Sequence, residues 1–347
     1  MSERRYYLDV LRILACVLVV IMHVPIPATG DAVGTIKALF LSGLCYATSP
    51  CIGLFMMVSG ALLLRNTDRP IEFMRKRLNR VLGPTIFWSI FYILVEYVKT
   101  CDLSQCLHSL LSVPFSVQGS GVLWFMYTLI GFYLIVPILS VWLKQASAQE
   151  IEFYLLVWCV YLCYPVLEKF VDINNSVTGI LYYCSGYAGY FLLGYYLDRY
   201  YGRVKMSIVI IALCVALITP FIYLLCDWEI DFCKVFWYQS IFVVFLCTAI
   251  FRIVQTLFEK YKLEATLPPP LKISLLKVSN LTYGVYLMHI FIVREILWNC
   301  KFIQDIDSVM IQTVVTACVT LVASFLGVYG ISMLPTGKYV VGYSGRK

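Results

Sequence analysis

Long apolar runs alternate with short polar breaks over the whole chain. Runs near 8–25, 41–64, 83–99, 122–142, 151–167, 179–197, 206–226, 235–251, 279–297 and 309–334 are each of spanning length, since a helix needs about 20 apolar residues to cross a bilayer core. The pattern predicts an all-α polytopic membrane protein with about ten transmembrane helices, forming a single membrane domain over 1–347. The last run is long enough to tilt or to begin outside the bilayer. The first is not read as a cleaved leader. Arg12 interrupts it and no small-x-small site follows His23-Val-Pro-Ile-Pro, so a retained helix ending at Pro25 and Pro27 is expected.

Composition supports the pattern. The chain is 61% hydrophobic and 14% charged, with mean hydropathy +0.82, whereas a soluble domain carries about 25% charged residues. Fourteen cysteines are scattered, mostly within the runs, and none has metal or redox spacing. Cys101 with Cys106, and Cys226 with Cys233, share short loops; disulfides there require an oxidising compartment.

Charge orients the helices. With the N-terminus inside, the cytoplasmic segments hold most of the 27 basic residues: Arg4, Arg5, the cluster from Arg65 to Arg80, Lys144, Arg199 to Lys205, Arg252 to Lys277, and Lys338, Arg346 and Lys347. The outer loops hold Lys37, Lys99, Lys169, Lys234 and Lys301. Both termini are therefore expected in the cytoplasm, with 335–347 as a short tail. The net charge of +7 then belongs to a face against anionic membrane lipid and implies no nucleic acid. The outer loops lean acidic (Asp31, Asp102, Asp172, Asp227, Glu229, Asp231, Asp305, Asp307), which sets topology only weakly.

Ionisable residues inside the runs mark the candidate chemistry, because charge at membrane depth is costly. The first run holds Asp9, Arg12 and His23. On a helix, Arg12 and His23 differ by roughly 20° in azimuth and about 16 Å in height, and Asp9 lies within ion-pair reach of Arg12. The stripe reads either as a packing ion pair with an interface histidine or as a site. The loop 65–84 is strongly basic, and 70–82 suits a short interfacial helix opened by Pro70. Arg75, Lys76, Arg77 and Arg80 lie on it; Arg77 and Arg80 share a face and suit either phosphate oxygens or lipid headgroups.

Further along, Glu96 sits near the outer end of its run, and His108 in the loop after it reads as solvated. Trp124 and Tyr127 open the 122–142 run as interface anchors, or as a floor on which a sugar ring stacks. Ser59 and Gly60, and Gly186, Gly189 and Gly194, are expected to permit close helix packing. Thr282, Tyr286 and His289 fall on one face, beside Tyr283, with His289 about halfway across. It is either a satisfied interhelical donor or part of a site. The sequence contains no nucleotide-binding glycine loop, HExxH or serine-nucleophile elbow.

Together these stretches resemble the acyltransferase 3 family, membrane acyltransferases that modify cell-surface carbohydrates. The resemblance rests on Arg12-x10-His23, Phe55-Met-Met-Val-Ser-Gly-Ala, Arg77-x-x-Arg80 before Pro84, Leu123-Trp-Phe-Met-Tyr, Gly189-Tyr-Phe-Leu-Leu-Gly-Tyr-Tyr-Leu and Thr282-Tyr-Gly-Val-Tyr-Leu-Met-His289, in that order. The absence of an appended hydrolase-like domain after 334 is similar to the standalone members.

The resemblance implies acetyl-CoA, or another acyl-CoA, as cytosolic co-substrate and no metal. It implies a hydroxyl of a surface saccharide or lipid-linked glycan as acceptor, in the cell membrane. His23 is then expected as general base or as a transient acyl carrier, and Arg12, oriented by Asp9, as a donor-binding group. Arg75, Lys76, Arg77 and Arg80 are expected near the donor phosphates. His289, Tyr286, Tyr283, Trp124 and Glu96 are expected to position substrate. A transporter or flippase for a lipid-linked or carbohydrate substrate, relaying protons through Asp9, Arg12 and His23, is the competing expectation.

Overall fold

The computed structural model describes residues 4–25, 36–66, 68–118, 121, 123–168, 170–173, 177–225 and 232–345. Among them every regular element is helical. The longer helices are α1 (Tyr6–His23), α2 (Ile36–Thr48), α3 (Pro50–Leu63), α4 (Pro70–Thr100), α5 (Leu103–Ser112), α6 (Trp124–Gln145), α7 (Ala148–Leu162), α8 (Ala188–Arg199), α9 (Met206–Leu225), α10 (Ile241–Lys260), α11 (Pro269–Ile290) and α12 (Val309–Ser332). A π-helical segment, Phe291–Leu297, continues α11 directly.

By length and composition, 8 helical stretches among the described residues suffice to cross a membrane. The other two expected spans fall on shorter helices, α7 with 15 residues and α8 with 12. Local sequence explains the shortening. The capping box of Ser147 and Glu150 starts α7 at Ala148, ahead of the run, and the loss is at the other end: α7 stops at Leu162, and a separate turn, Tyr164–Leu167, follows with Pro165 at its start. Before α8, a 3-10 turn at Tyr182–Cys184 precedes Gly186, whose φ of 82° no continuing helix tolerates. Gly186 is thus a turn residue, and not the packing residue the sequence suggested. Pro27, the acidic residues Asp31, Asp227, Glu229 and Asp231, and the Cys226/Cys233 pair lie outside the described residues and side chains.

The chain divides into two compact units. One comprises Met1–Met22, Pro27–Arg65 and Leu139–Leu276. Its centre is the crossing of α3 and α8, where two expected glycines bring backbones together. A Cβ on Gly60 would sit 1.8 Å from the Phe191 carbonyl oxygen, and one on Gly194 would sit 2.0 Å from that of Met57. Small residues permit such contact between apolar helices, for which lipid offers no competing hydrophobic drive. Leu54, Met56, Met57, Tyr190 and Phe191 are fully buried around it.

The second unit comprises His23–Ile26, Asn66–Ile138 and Lys277–Lys347. The interfacial helix expected at 70–82 and the span at 83–99 are one helix, α4, of 31 residues. Its length, about 46 Å, exceeds a bilayer core of about 30 Å, and 70–82 is a continuation of the span's helix in place of the separate short helix expected. Pro84 lies within it and forfeits a single backbone hydrogen bond without ending the helix. Tyrosines tie α11 to α4: Tyr92 Oη donates to the Leu287 carbonyl at 2.8 Å, and Tyr283 Oη to that of Val81 at 3.0 Å.

The tail is folded into this unit. Its short helix Gly337–Val341 offers the Val340 carbonyl to Trp88 Nε1 at 2.9 Å, and the Gly342 carbonyl accepts from Arg80 Nε at 3.3 Å. On the opposite end of α4, Cys106 is buried among Ile93 and Val113 while Cys101 is exposed. The two sulfurs face different surroundings, and both thiols are free.

Candidate active site

In the second unit, two histidines from opposite ends of the sequence meet. His23 is the last residue of α1, terminated by Val24-Pro25, and His289 lies one residue before the end of α11. His289 Nε2 and His23 Nδ1 are 3.3 Å apart, with ring centroids at 5.2 Å. His289 has no exposed surface, whereas His23 is half-buried.

Backbone carbonyls set the proton positions. His289 Nδ1 lies 2.7 Å from the Tyr286 carbonyl oxygen and 3.2 Å from that of Val285. A carbonyl only accepts, so Nδ1 carries the hydrogen and, in the neutral ring, Nε2 carries the lone pair. His23 Nδ1 then donates to that lone pair, which leaves the basic electron pair of His23 on Nε2. The pairing thus selects the tautomer of the half-buried imidazole.

The surroundings hold this geometry. Trp298 Nε1 donates to the Val24 carbonyl at 3.0 Å, satisfying an acceptor left over at the end of α1. Trp298 itself closes the π-helical segment, its N–H reaching the Val293 carbonyl at 2.9 Å. Such segments are rare and concentrate at functional sites. Buried rings adjoin the pair: the Tyr286 ring is 5.9 Å from that of His289 and 5.7 Å from that of Phe125, which is next to Trp124. Of the residues expected around the substrate, His289 and Tyr286 are therefore brought together, while Trp124 is connected to them only as the sequence neighbour of Phe125.

Others are not. The Tyr283 hydroxyl is committed to Val81 and to Thr85, at 3.3 Å, as a strut between helices. Glu96 lies farther along α4 and lines a separate polar cavity. The basic residues of α4 do not converge on one point. Lys76 pairs with Asp68 at 2.9 Å, Arg77 lies over the Phe73 ring at 5.8 Å, Arg80 caps Gly342, and Arg75 is exposed.

In the first unit, the expected Asp9–Arg12 ion pair is present but long, at 3.9 Å. Asp9 is held more closely by Arg4, whose Nε and one terminal nitrogen each donate at 3.0 Å. The stronger ionic centre went unnoticed in the sequence. Asp198, near the end of α8 and buried, accepts from the Tyr7 hydroxyl and pairs with Arg5 and with Arg65 Nη2, the latter at 2.7 Å. Arg5 and Arg65 retain 27% and 39% of their side-chain exposure. The available signal was an acidic residue closing an otherwise apolar helix, in Tyr-Tyr-Leu-Asp198.

The chain matches the family model of an acyltransferase domain over residues 5–333. It belongs to the acyltransferase 3 family. No curated protein and no solved structure matches it. Membership in this family makes the chain a membrane acyltransferase that uses an acyl donor and, in general terms, a carbohydrate acceptor. Acyl transfer is thus the chemistry that family membership assigns to the chain.

Proposed function

We propose that the protein is an O-acyltransferase, most simply an O-acetyltransferase, moving the acyl group of cytosolic acetyl-CoA or another acyl-CoA to a hydroxyl of a cell-surface or lipid-linked saccharide in the cell membrane. The observation that carries this reading is the contact between His23 and His289. It gives Nε2 of the half-buried His23 the basic electron pair, held in one tautomer by a buried partner.

In the step envisaged, His23 Nε2 takes the proton of the acceptor hydroxyl as its oxygen attacks the thioester carbonyl. The tetrahedral centre collapses, the C–S bond breaks, and the imidazolium returns its proton to the departing thiolate. His289 touches His23 and acts by fixing its proton and ring orientation. Tyr286 and Trp124 supply the aromatic wall, against which the apolar face of a pyranose stacks.

Arg12 lies one turn above Asp9 on the same unbroken helix that ends in His23. The rise of about 16 Å between Arg12 and His23 suits the long pantetheine arm of a CoA thioester. Arg77 and Arg80, with Arg75 and Lys76, are assigned to the donor's phosphates, which arginine binds bidentately.

The test is purified protein incubated with radiolabelled acetyl-CoA and a surface-glycan extract. Alkali-labile label on the glycan, absent with His23→Ala, is expected. Equal label with the variant would remove His23 from the chemistry.

A further inference from the structure

At the other end of α4, beyond the imidazole pair, a cavity of about 240 Å³ opens between α4, α5 and the segment that follows α5. Its polar lining comes from Glu96, Thr100, Asp102, Gln105, Ser109 and Gln118, with the Tyr97 ring, Ile93 and Val117 as apolar surface. Carboxylate, amide and hydroxyl groups are thus set around one aromatic ring. No cation lines the cavity among the described residues.

We infer that this cavity is a second carbohydrate-binding site, which holds one uncharged sugar ring of the acceptor glycan away from the reacting hydroxyl. Vicinal hydroxyls of a pyranose both donate and accept. They match carboxylate oxygens, which only accept, alongside amides, which do both. A ring face covers an aromatic side chain such as Tyr97.

The charge adds selectivity. Two carboxylates with no cation repel a uronic or other acidic sugar while leaving a neutral one unaffected.

Placement supports the assignment. The basic-residue distribution predicts that 100–121 is an outer loop, the face on which a surface glycan is found. Tyr92, bonded to the carbonyl two residues before His289, is one turn from Glu96, an advance of about 6 Å. Lys99, outside the lining, is paired with Glu295 of the π-helical segment at 2.7 Å, which ties this end of α4 to the element that follows His289. The cavity and the imidazole pair thus adjoin the same ends of α4 and α11.

The inference rests on a carbohydrate acceptor but not on the role given to His23. The test is saturation-transfer NMR on the full-length protein in micelles, with a panel of neutral methyl hexosides and with methyl glucuronide. At least one hexoside is expected to bind and the glucuronide not to. Glu96→Gln and Gln118→Ala should each weaken the hexoside on the order of fivefold or more, with acetyl-CoA affinity unchanged.

Asp102→Asn, which keeps the helix cap, should restore glucuronide binding. His23→Ala should bind the hexoside like the parent, so a failed catalytic reading would not disturb this result. Absence of any hexoside signal, an unchanged signal in Glu96→Gln and Gln118→Ala, or equal binding of the glucuronide would overturn the inference.

Discussion

His289 Nε2 faces His23 Nδ1 at 3.3 Å while its own Nδ1 is spent on the Tyr286 carbonyl. The buried ring therefore acts on the half-buried one as a fixed acceptor. Replacing it should disturb the chemistry more than binding. His289→Ala is expected to lower kcat by about 10²-fold, in the range of a mispositioned general base, with the donor KM nearly unchanged. His289→Gln offers an oxygen acceptor to His23 and should recover part of the loss. Steady-state kinetics with labelled donor would check the split; equal damage from both variants would assign His289 to packing alone.

His23→Ala should reduce transfer by at least about 10²-fold and leave acyl-CoA binding intact. A binding titration in detergent beside the transfer assay separates the two. Loss of donor affinity in step with turnover would make His23 a binding residue.

Asp198 is the one buried acceptor that Tyr7, Arg5 and Arg65 share. Asp198→Leu removes the counter-charge of two guanidinium groups that solvent partly screens, a change that costs on the order of 1–2 kcal/mol, below the figure for a fully buried pair. The thermal midpoint in detergent should fall by several degrees. Tyr7→Phe, which deletes one hydrogen bond, should cost about 1 kcal/mol. An unaltered midpoint for Asp198→Leu would show that the network contributes nothing to stability.

Gly60 meets the Phe191 backbone so closely that a methyl group has no room. Gly60→Ala must push α3 and α8 apart, at about 2 kcal/mol by the usual penalty for overpacking. Gly131 provides the control, since a methyl group added there would meet nothing within 4 Å. Gly131→Ala should express and melt like the parent. Yield of monodisperse protein after extraction is the measurement.

Arg77 and Arg80 distinguish two roles of the basic stretch. If they meet the donor phosphates, Arg77→Ala with Arg80→Ala raises the acetyl-CoA KM on the order of tenfold, given the strength of charged hydrogen bonds. A KM that stays fixed, with weaker partition into anionic vesicles, would return the pair to lipid contact.

The fold was legible where one physical signal dominated. Apolar runs, terminated by proline or by a charged cluster, located α1, α4, α6, α9, α10, α11 and α12, because burial in lipid leaves few alternatives to a helix. The runs at 151–167 and 179–197 were overestimated: hydropathy registers neither the break before Pro165 nor a left-handed glycine, and these shorten α7 and α8. The merger of 70–82 with the span that follows was hidden for a related reason. Pro84 reads as punctuation in sequence but is tolerated inside α4.

The site was half legible. His23 and His289 stood out as imidazoles within apolar runs, but nothing local announces that residues 266 positions apart touch. Asp198 escaped notice because its partners Arg5, Tyr7 and Arg65 come from other stretches, each ordinary in isolation. Arg77 and Arg80 shared a face as expected, but their companions Phe73 and Gly342 draw the two guanidinium groups toward separate neighbours.

The folded tail has a practical corollary for mapping which termini face the cytosol. Reporter fusions made after residue 334 would remove the carbonyl groups that receive Trp88 and Arg80, and would report on a chain whose longest helix has lost its brace. Appending the reporter beyond residue 345 preserves both contacts, so the readout then belongs to the intact protein.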